Sequence, residues 1–240
     1  MKDEFNNFFD LVKDIKSNIS ISGRYPWQIT CEKNTLKYII KILKLKNSDC
    51  LLDIGCNTGN FTIPLSFFVD KVYGIDNLRF IKKFNQRYKS ENIFLLGKNF
   101  LHYNNDFNKK FDKILIFSVV QYLKTLDEVI LFLNKAINLL NSKGILYIGD
   151  LPNYTKKIKF ENTKKFYEIK KNWDINKKNK DYQKDIKSLK TDITTIKFDN
   201  KKINKLIKIL KSKNLEISLL NQPTNLCMSY TRSDIIIKKI

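Results

Sequence analysis

The sequence predicts an α/β protein with a doubly wound, mostly parallel sheet whose last strand runs antiparallel. Three observations carry that reading. The run Leu51-Leu52-Asp53-Ile54-Gly55-Cys56-Asn57-Thr58-Gly59 has the form of a buried strand that ends in a carboxylate and breaks into a glycine loop. After a helical stretch from Asn60 to Phe68, a second apolar run, Lys71 to Ile75, ends at Asp76. Short apolar runs then alternate with amphipathic segments, the order that builds a parallel sheet covered on both faces.

The glycine loop is where ligand chemistry enters. Gly55 and Gly59 allow positive φ or a close approach of bare backbone, so a ligand can sit against the main chain. Asp76 follows Gly55 by 21 residues, a spacing that suits a carboxylate reaching a ribose diol from the next strand tip. The dinucleotide fingerprint G-x-G-x-x-G needs glycine where Asn57 stands, because backbone must close around a pyrophosphate there. A nucleoside without phosphates fits better.

D-I-G-C-N-T-G-N followed by G-I-D-N resembles motif I and the acidic second-strand tip of the class I S-adenosylmethionine-dependent methyltransferases, over roughly residues 30 to 150. The resemblance implies a Rossmann-like fold, S-adenosyl-L-methionine as cofactor and S-adenosyl-L-homocysteine as product. It implies a cofactor site drawn from Asp53, Gly55, Cys56, Asn57, Gly59, Asp76 and Asn77, joined by Asn99, Phe100 and Ser118. The family commonly has an acid at the third strand tip. Asn99 stands there instead, and its amide can still accept from or donate to an adenine edge.

The remaining elements follow in order. Phe5, Phe8, Phe9, Val12 and Ile15 fall on one face of a helix over residues 3 to 18. Ser20 to Trp27, with Gly23, Arg24, Tyr25, Pro26 and Trp27, is a turn-forming stretch able to close over a substrate, and a helix from 31 to 45 leads to the first strand. A helix over Leu78 to Tyr88 precedes a third strand at Ile93 to Leu96, and Phe111 to Phe117 forms a fourth that ends in Ser118-Val119-Val120-Gln121-Tyr122. Asp127 to Leu140 is helical, Asn141 to Gly144 stops it, and a fifth strand at Ile145 to Ile148 ends at Gly149-Asp150.

From Pro152 to about Lys190 the sequence is lysine-rich with sparse aromatics, longer than an ordinary connection, and reads as a partly helical cap. A loose strand at Ile193 to Phe198, a helix over Lys201 to Lys213, a sixth strand at Leu215 to Leu220 and an antiparallel strand within Asn225 to Ile240 complete the chain. The length suits one domain: N-terminal helices over 1–48, a cofactor core over 49–150, the cap over 151–198, and a C-terminal helix and strands over 199–240.

In such a sheet Asp53, Asp76, Gln121 and Asp150 share the carboxyl rim. Methyl transfer is an in-line displacement that gains mainly from alignment and exclusion of water. A hydroxyl acceptor must also lose a proton, for which Asp150, His102 and Tyr122 are the rim candidates; Gln121 joins Asp150 and His102 in the catalytic set as a pocket residue at the fourth strand tip. Tyr25, Trp27, Tyr122, Asn153, Tyr230 and Arg232 are the substrate-binding candidates, and Arg24 belongs with the anion contacts. The strings S-V-V-Q-Y-L, G-D-L-P-N and S-Y-T-R-S-D-I-I-I-K resemble small bacterial methyltransferases of surface-polysaccharide biosynthesis, including those acting on the capsular phosphoramidate group. That resemblance implies a sugar, nucleotide-linked or phosphoramidate acceptor.

Composition bounds the partners. The formal net charge of +21 invites nucleic acid, yet only four of the 45 basic residues are arginine, the fork that phosphate and base readers favour. The lysine excess fits a codon bias spread over solvated faces. Four cysteines without C-x-x-C or Cys/His spacing suggest neither a disulfide framework nor a metal site, and read as reduced. The charged start and the lack of a long apolar run predict a soluble, cytoplasmic protein without membrane insertion. The expected function is methylation of an oxygen on a small anionic acceptor. The alternatives are an RNA methyltransferase and a non-catalytic cofactor-binding module.

Overall fold

The computed structural model describes residues 18–180 and 196–240. The amphipathic helix expected over 3 to 18 lies outside the described residues, apart from its last position. Seven strands form one sheet: β1 (Cys50–Ile54), β2 (Lys71–Asp76), β3 (Ile93–Gly97), β4 (Phe111–Phe117), β5 (Leu140–Pro152), β6 (Leu215–Asn221) and β7 (Arg232–Lys239). Their spatial order is β3-β2-β1-β4-β5-β7-β6. β1 to β5 pair in parallel, whereas β7 runs antiparallel to both β5 and β6. The last strand is thus antiparallel as expected, but it inserts between β5 and β6 rather than closing an edge.

Because both faces are covered, the parallel strands are apolar at successive positions, not only alternate ones. Leu52, Ile54, Ile114, Ile116, Leu146 and Ile148 point to one face and meet Val129, Phe132, Leu133 and Ala136 of α3 (Leu126–Asn138) and Ile203, Leu206 and Leu210 of α6 (Asn200–Leu210). Leu51, Val72, Leu115, Ile145 and Tyr147 point to the other and meet Ile39 and Leu43 of α1 (Ile29–Leu43). A further helix, α2 (Leu78–Arg87), buries Phe80, Ile81 and Phe84 beside β2 and β3, and its N-terminus is capped by Asn77, which accepts from the Arg79 amide at 2.9 Å.

Several expectations need correction. The helix of Asn60 to Phe68 is one turn, Thr62–Leu65. β5 begins at Leu140 and crosses the expected stop by a register irregularity, with Lys143 at φ 61°. It continues past Asp150, which takes φ 61° at a second irregularity against β7, before pairing resumes at Leu151. Ile196 to Asp199 is irregular, not a strand, because the Ile196 amide bonds to the Leu123 carbonyl and the Phe198 carbonyl to the Tyr154 amide instead of a ladder; residues 193–195 lie outside the described ones. The cap contains two helices, α4 (Tyr154–Glu161) and α5 (Lys164–Lys177), neither of which buries a residue. No helix among the described residues is long and apolar enough to cross a membrane.

The cysteines also depart from expectation. Cys50 and Cys56 are free, but Cys31 and Cys227 form a disulfide across a separation of 196 residues. No local spacing announces such a pair, because only the docking of the β7 approach on α1 brings the two Cα atoms to 5.2 Å. Closing so long a loop restricts the unfolded chain, so Cys227→Ser, or reduction by a dithiol, is expected to lower stability by about 2–4 kcal/mol. Urea unfolding in oxidising and reducing buffer checks this, and superimposable curves would show that the crosslink contributes nothing.

Candidate active site

The strand order reverses between β1 and β4, and a crevice opens at their carboxyl ends. Its floor is the loop after β1. Gly55 and Gly59 both stand at φ 87°, and a side chain at Gly55 would collide with Val119. Asn57 takes the left-handed conformation that a third glycine would otherwise supply, with φ 49°. Its side chain accepts from the Thr58 amide at 2.7 Å and donates to the Ile21 carbonyl at 3.3 Å.

Asp76 completes the loop from the next strand. Its carboxylate accepts from the amides of Asn57 (2.7 Å) and Asn77 (2.6 Å) and faces the cleft, beside Ile75, Phe80, Phe100 and Phe132. A carboxylate next to apolar and aromatic walls fits a nucleoside, with the diol on the acid and the base against the rings. Asp53 lies deeper, accepting from the Thr62 hydroxyl at 2.6 Å. Burial pushes Asp53 up to about 7, helped by the charge of Asp76 and opposed by the Thr62 bond. Burial likewise pushes Asp76 up to about 6, against the pull of its two amide bonds. Neither acid has a cation partner among the described residues, so a ligand bearing sulfonium and ammonium groups supplies what the protein leaves out.

At the tips of β4 and β5 the chemistry is opposite. Asp150 is buried and held on three sides: Arg24 Nη2 donates to Oδ2 at 2.6 Å, the Ser118 hydroxyl donates to the same oxygen, and Arg232 Nε donates to Oδ1 at 3.1 Å. Burial alone would raise its pKa, but Arg24 and Arg232 overcome that and hold the carboxyl below the usual range. Its amide donates to Asp234 at 2.9 Å, and Asp234 also accepts from Tyr147 and Gln222, both at 2.8 Å. Arg24 turns its Nε to Glu32 at 2.8 Å, so it bridges two carboxylates.

Of the residues singled out from sequence, Asp53, Gly55, Cys56, Asn57, Asp76, Asn99, Phe100, Ser118 and Tyr122 line this cleft together. Gly59 and Asn77 shape it from behind, the first through its turn and the second as a helix cap. Asp150 and Arg232 stand one layer out, joined to the lining through Arg24 and Ser118. Gln121, next to Tyr122, is off the lining, and its Oε1 is buried without a hydrogen bond. His102 is exposed at the end of a 3-10 turn, Phe100–His102.

The remaining substrate candidates are elsewhere. Tyr25 and Trp27 stack at 4.7 Å and pack against Trp173 of α5, which pins the cap to the N-terminal segment. Tyr230 stacks on Phe160 at 4.7 Å, and Asn153 is buried as the cap of α4, bonded to Ser233 and Asn200. Sequence reasoning missed Glu32, Lys98, Lys124 and Glu128 in the lining. Glu32 carries no spacing signal, since an acid in a first helical turn reads as a dipole complement.

Solved structures share this fold. The chain superposes on phosphoethanolamine N-methyltransferase 1 of Haemonchus contortus, in complex with phosphoethanolamine and S-adenosylhomocysteine, with a TM-score of 0.71 and 18% identity, covering 98% of this chain and 48% of that one. N-methyltransferase NodS of Bradyrhizobium japonicum WM9 with S-adenosylhomocysteine gives 0.61 and 16%, covering 98% of each. Magnesium protoporphyrin IX methyltransferase of Synechocystis PCC 6803 gives 0.57 and 15%, covering 98% and 94%. At these identities the likeness is one of fold. Among curated proteins, the 23S rRNA (uracil(1939)-C(5))-methyltransferase of Legionella pneumophila is 31% identical over 98 residues, 37% of this chain, and the match spans only 22% of that protein.

Two predictions follow from the acids. Asp76→Ala is expected to weaken S-adenosylhomocysteine binding by about 1.5–3 kcal/mol through loss of a charged hydrogen-bond acceptor, and unchanged calorimetric affinity would refute its place in the site. Asp53, raised from 3.8 to about 7 on folding, favours the folded state fully below 3.8 and loses that advantage as pH rises through 7. Asp53→Asn should therefore match the parent at pH 4 and exceed its stability at pH 8 by on the order of 2–4 kcal/mol, measured by denaturant unfolding without ligand. A gap that stays constant with pH would contradict this.

Residues 10–156, which hold the glycine loop, both acids and the β5 tip, match the family described as Nodulation protein S (NodS). The chain belongs to the NodS family and is an S-adenosylmethionine-dependent methyltransferase.

Proposed function

We propose that the enzyme transfers the methyl group to an oxygen of a small anionic acceptor, a nucleotide-linked sugar or phosphoramidate precursor of surface polysaccharide drawn from a cytoplasmic pool. One observation carries the reading of a small acceptor. Arg24, itself on the lining, ties the segment before α1 to Ser118 and Asp150, so the crevice is narrowed at the tips of β4 and β5. Lys98 and Lys124 on the lining support an acceptor with negative charge. The S-adenosylmethionine sulfonium supplies an electrophilic methyl when bound. The chain's own residues orient the two partners and exclude water, and Tyr122 and Ser118 offer hydroxyls for holding a polar acceptor.

A second reading, methylation of an amine nitrogen, draws support from Glu32, a carboxylate on the lining able to hold an ammonium group. Two of the folds named above belong to N-methyltransferases. Incubation with methyl-labelled S-adenosylmethionine and either the small-molecule or the RNA fraction of a host-cell extract separates the readings. Label is expected in the small-molecule fraction, on an oxygen-bound methyl by carbon NMR. A nitrogen-bound methyl would favour the second reading, and label in RNA would overturn both.

A further inference from the structure

We propose that Glu32 accepts the proton of the methyl acceptor's attacking oxygen or nitrogen, the part that sequence reasoning gave to Asp150. This rests on the reading of the chain as an enzyme for a small acceptor. Asp150 is already engaged: both oxygens receive charge-assisted or hydroxyl hydrogen bonds from Arg24, Arg232 and Ser118, and its side chain is 4% exposed. Taking a proton there means giving up part of two ion pairs in a desolvated site, which is strongly opposed.

Glu32 differs in the two respects that matter. It lines the cleft itself, together with Asp53 and Ser118. Only Oε1 is bound, by Arg24 Nε at 2.8 Å, and Oε2 accepts no hydrogen bond among the described residues. Its position along the sheet also suits the role. Asp76, the ribose side, is at the tip of β2, whereas Arg24, which fixes Glu32, is bonded to the tips of β4 and β5. Strands lie ~4.8 Å apart, so those tips stand roughly 10–15 Å from the tip of β2. That span carries the cleft from the ribose past the sulfur to the acceptor.

The step balances simply. The acceptor's lone pair forms a bond to the methyl carbon, the carbon–sulfur bond breaks with its electron pair staying on sulfur, and the acceptor's proton passes to Glu32 Oε2 and then to water. The charged and titratable groups facing Glu32 are Arg24, Asp150 behind it, and the Tyr122 phenol on the lining, with Arg232 beyond Asp150. Burial raises Glu32 above the usual glutamate range, Arg24 opposes this, and the charge of Asp150 adds to the rise. A carboxylate so placed is a stronger proton acceptor than an exposed one.

Glu32→Gln keeps an oxygen for Arg24 and the shape of the side chain. With labelled S-adenosylmethionine and the small-molecule fraction of a host-cell extract, it should lose about 10²–10⁴-fold in turnover and the acidic limb of the pH profile, while S-adenosylhomocysteine affinity stays unchanged. Parental turnover with the acidic limb intact would overturn the assignment. If the parent enzyme itself labels nothing, the functional reading is at fault, and Glu32 is judged by carboxyl-carbon NMR of glutamate-labelled protein bound to S-adenosylhomocysteine. A glutamate titrating above the ordinary range and missing in Glu32→Gln supports the role; Glu32 titrating within that range overturns it.

Discussion

The buried carboxylate of Asp150 is the point on which the acceptor side depends. It stands where β5 departs from regular pairing, at φ 61°, and its amide is fixed by Asp234 of β7. Its oxygens then collect donors from three distant parts of the chain: Arg24 before α1, Ser118 after β4 and Arg232 at the start of β7. A buried charge is costly unless it is paired and hydrogen-bonded, so these segments are held together by the penalty of separating them. The segment before α1 docks partly through buried Ile21 and the Tyr25–Trp27 stack. The ionic bridge through Arg24 brings it over the crevice.

The two halves of the crevice are built on contrasting electrostatics. Among the described residues Asp53 and Asp76 are buried without a cation and pushed upward, while Asp150 is buried between two guanidiniums and held down. The first pair is open to a ligand that brings hydrogen-bond donors or positive charge. The second is complete already and serves to position its neighbours. Loss of the sulfonium charge on transfer removes part of what holds the cofactor, a physical basis for product release.

Sequence reading brought together the residues that line the cleft at β1 and β2, because that half is written in local patterns. Gly55, Asn57 and Gly59 lie in one loop, and Asp76 follows by one strand length; both are properties of a contiguous stretch. Asp150 was legible as a rim residue for the same reason. Its use was not, since Arg24 and Arg232 are separated from it by 126 and 82 positions and nothing in their surroundings marks the pairing. The Cys31–Cys227 disulfide and the place of Glu32 in the cleft were hidden likewise, each depending on how the ends of the chain meet over the sheet. The strand expected at Ile193 to Phe198 misled through composition: Ile196 and Phe198 alternate as in a ladder, but their partners are the loop at Leu123 and the start of α4.

The same separation explains why the net charge of +21 says little about the acceptor. Lysines dominate the surface of α4 and α5, two helices that bury nothing, and long solvated side chains there are screened within about a Debye length, ~8–10 Å in physiological salt. At the tips of β4 and β5 the field comes from buried groups, and there two guanidiniums, Arg24 and Arg232, stand against two carboxylates, Glu32 and Asp150. With Asp234 bonded to the Asp150 amide, the carboxylates here number three to two guanidiniums among the described residues. What an acceptor meets is therefore set by geometry, by which oxygens and hydroxyls are left unpaired at the lining, more than by the overall excess of positive charge. Glu32 Oε2 is such an oxygen among the described residues, whereas Lys98 on the same lining is already bonded to Asp106 at 2.7 Å.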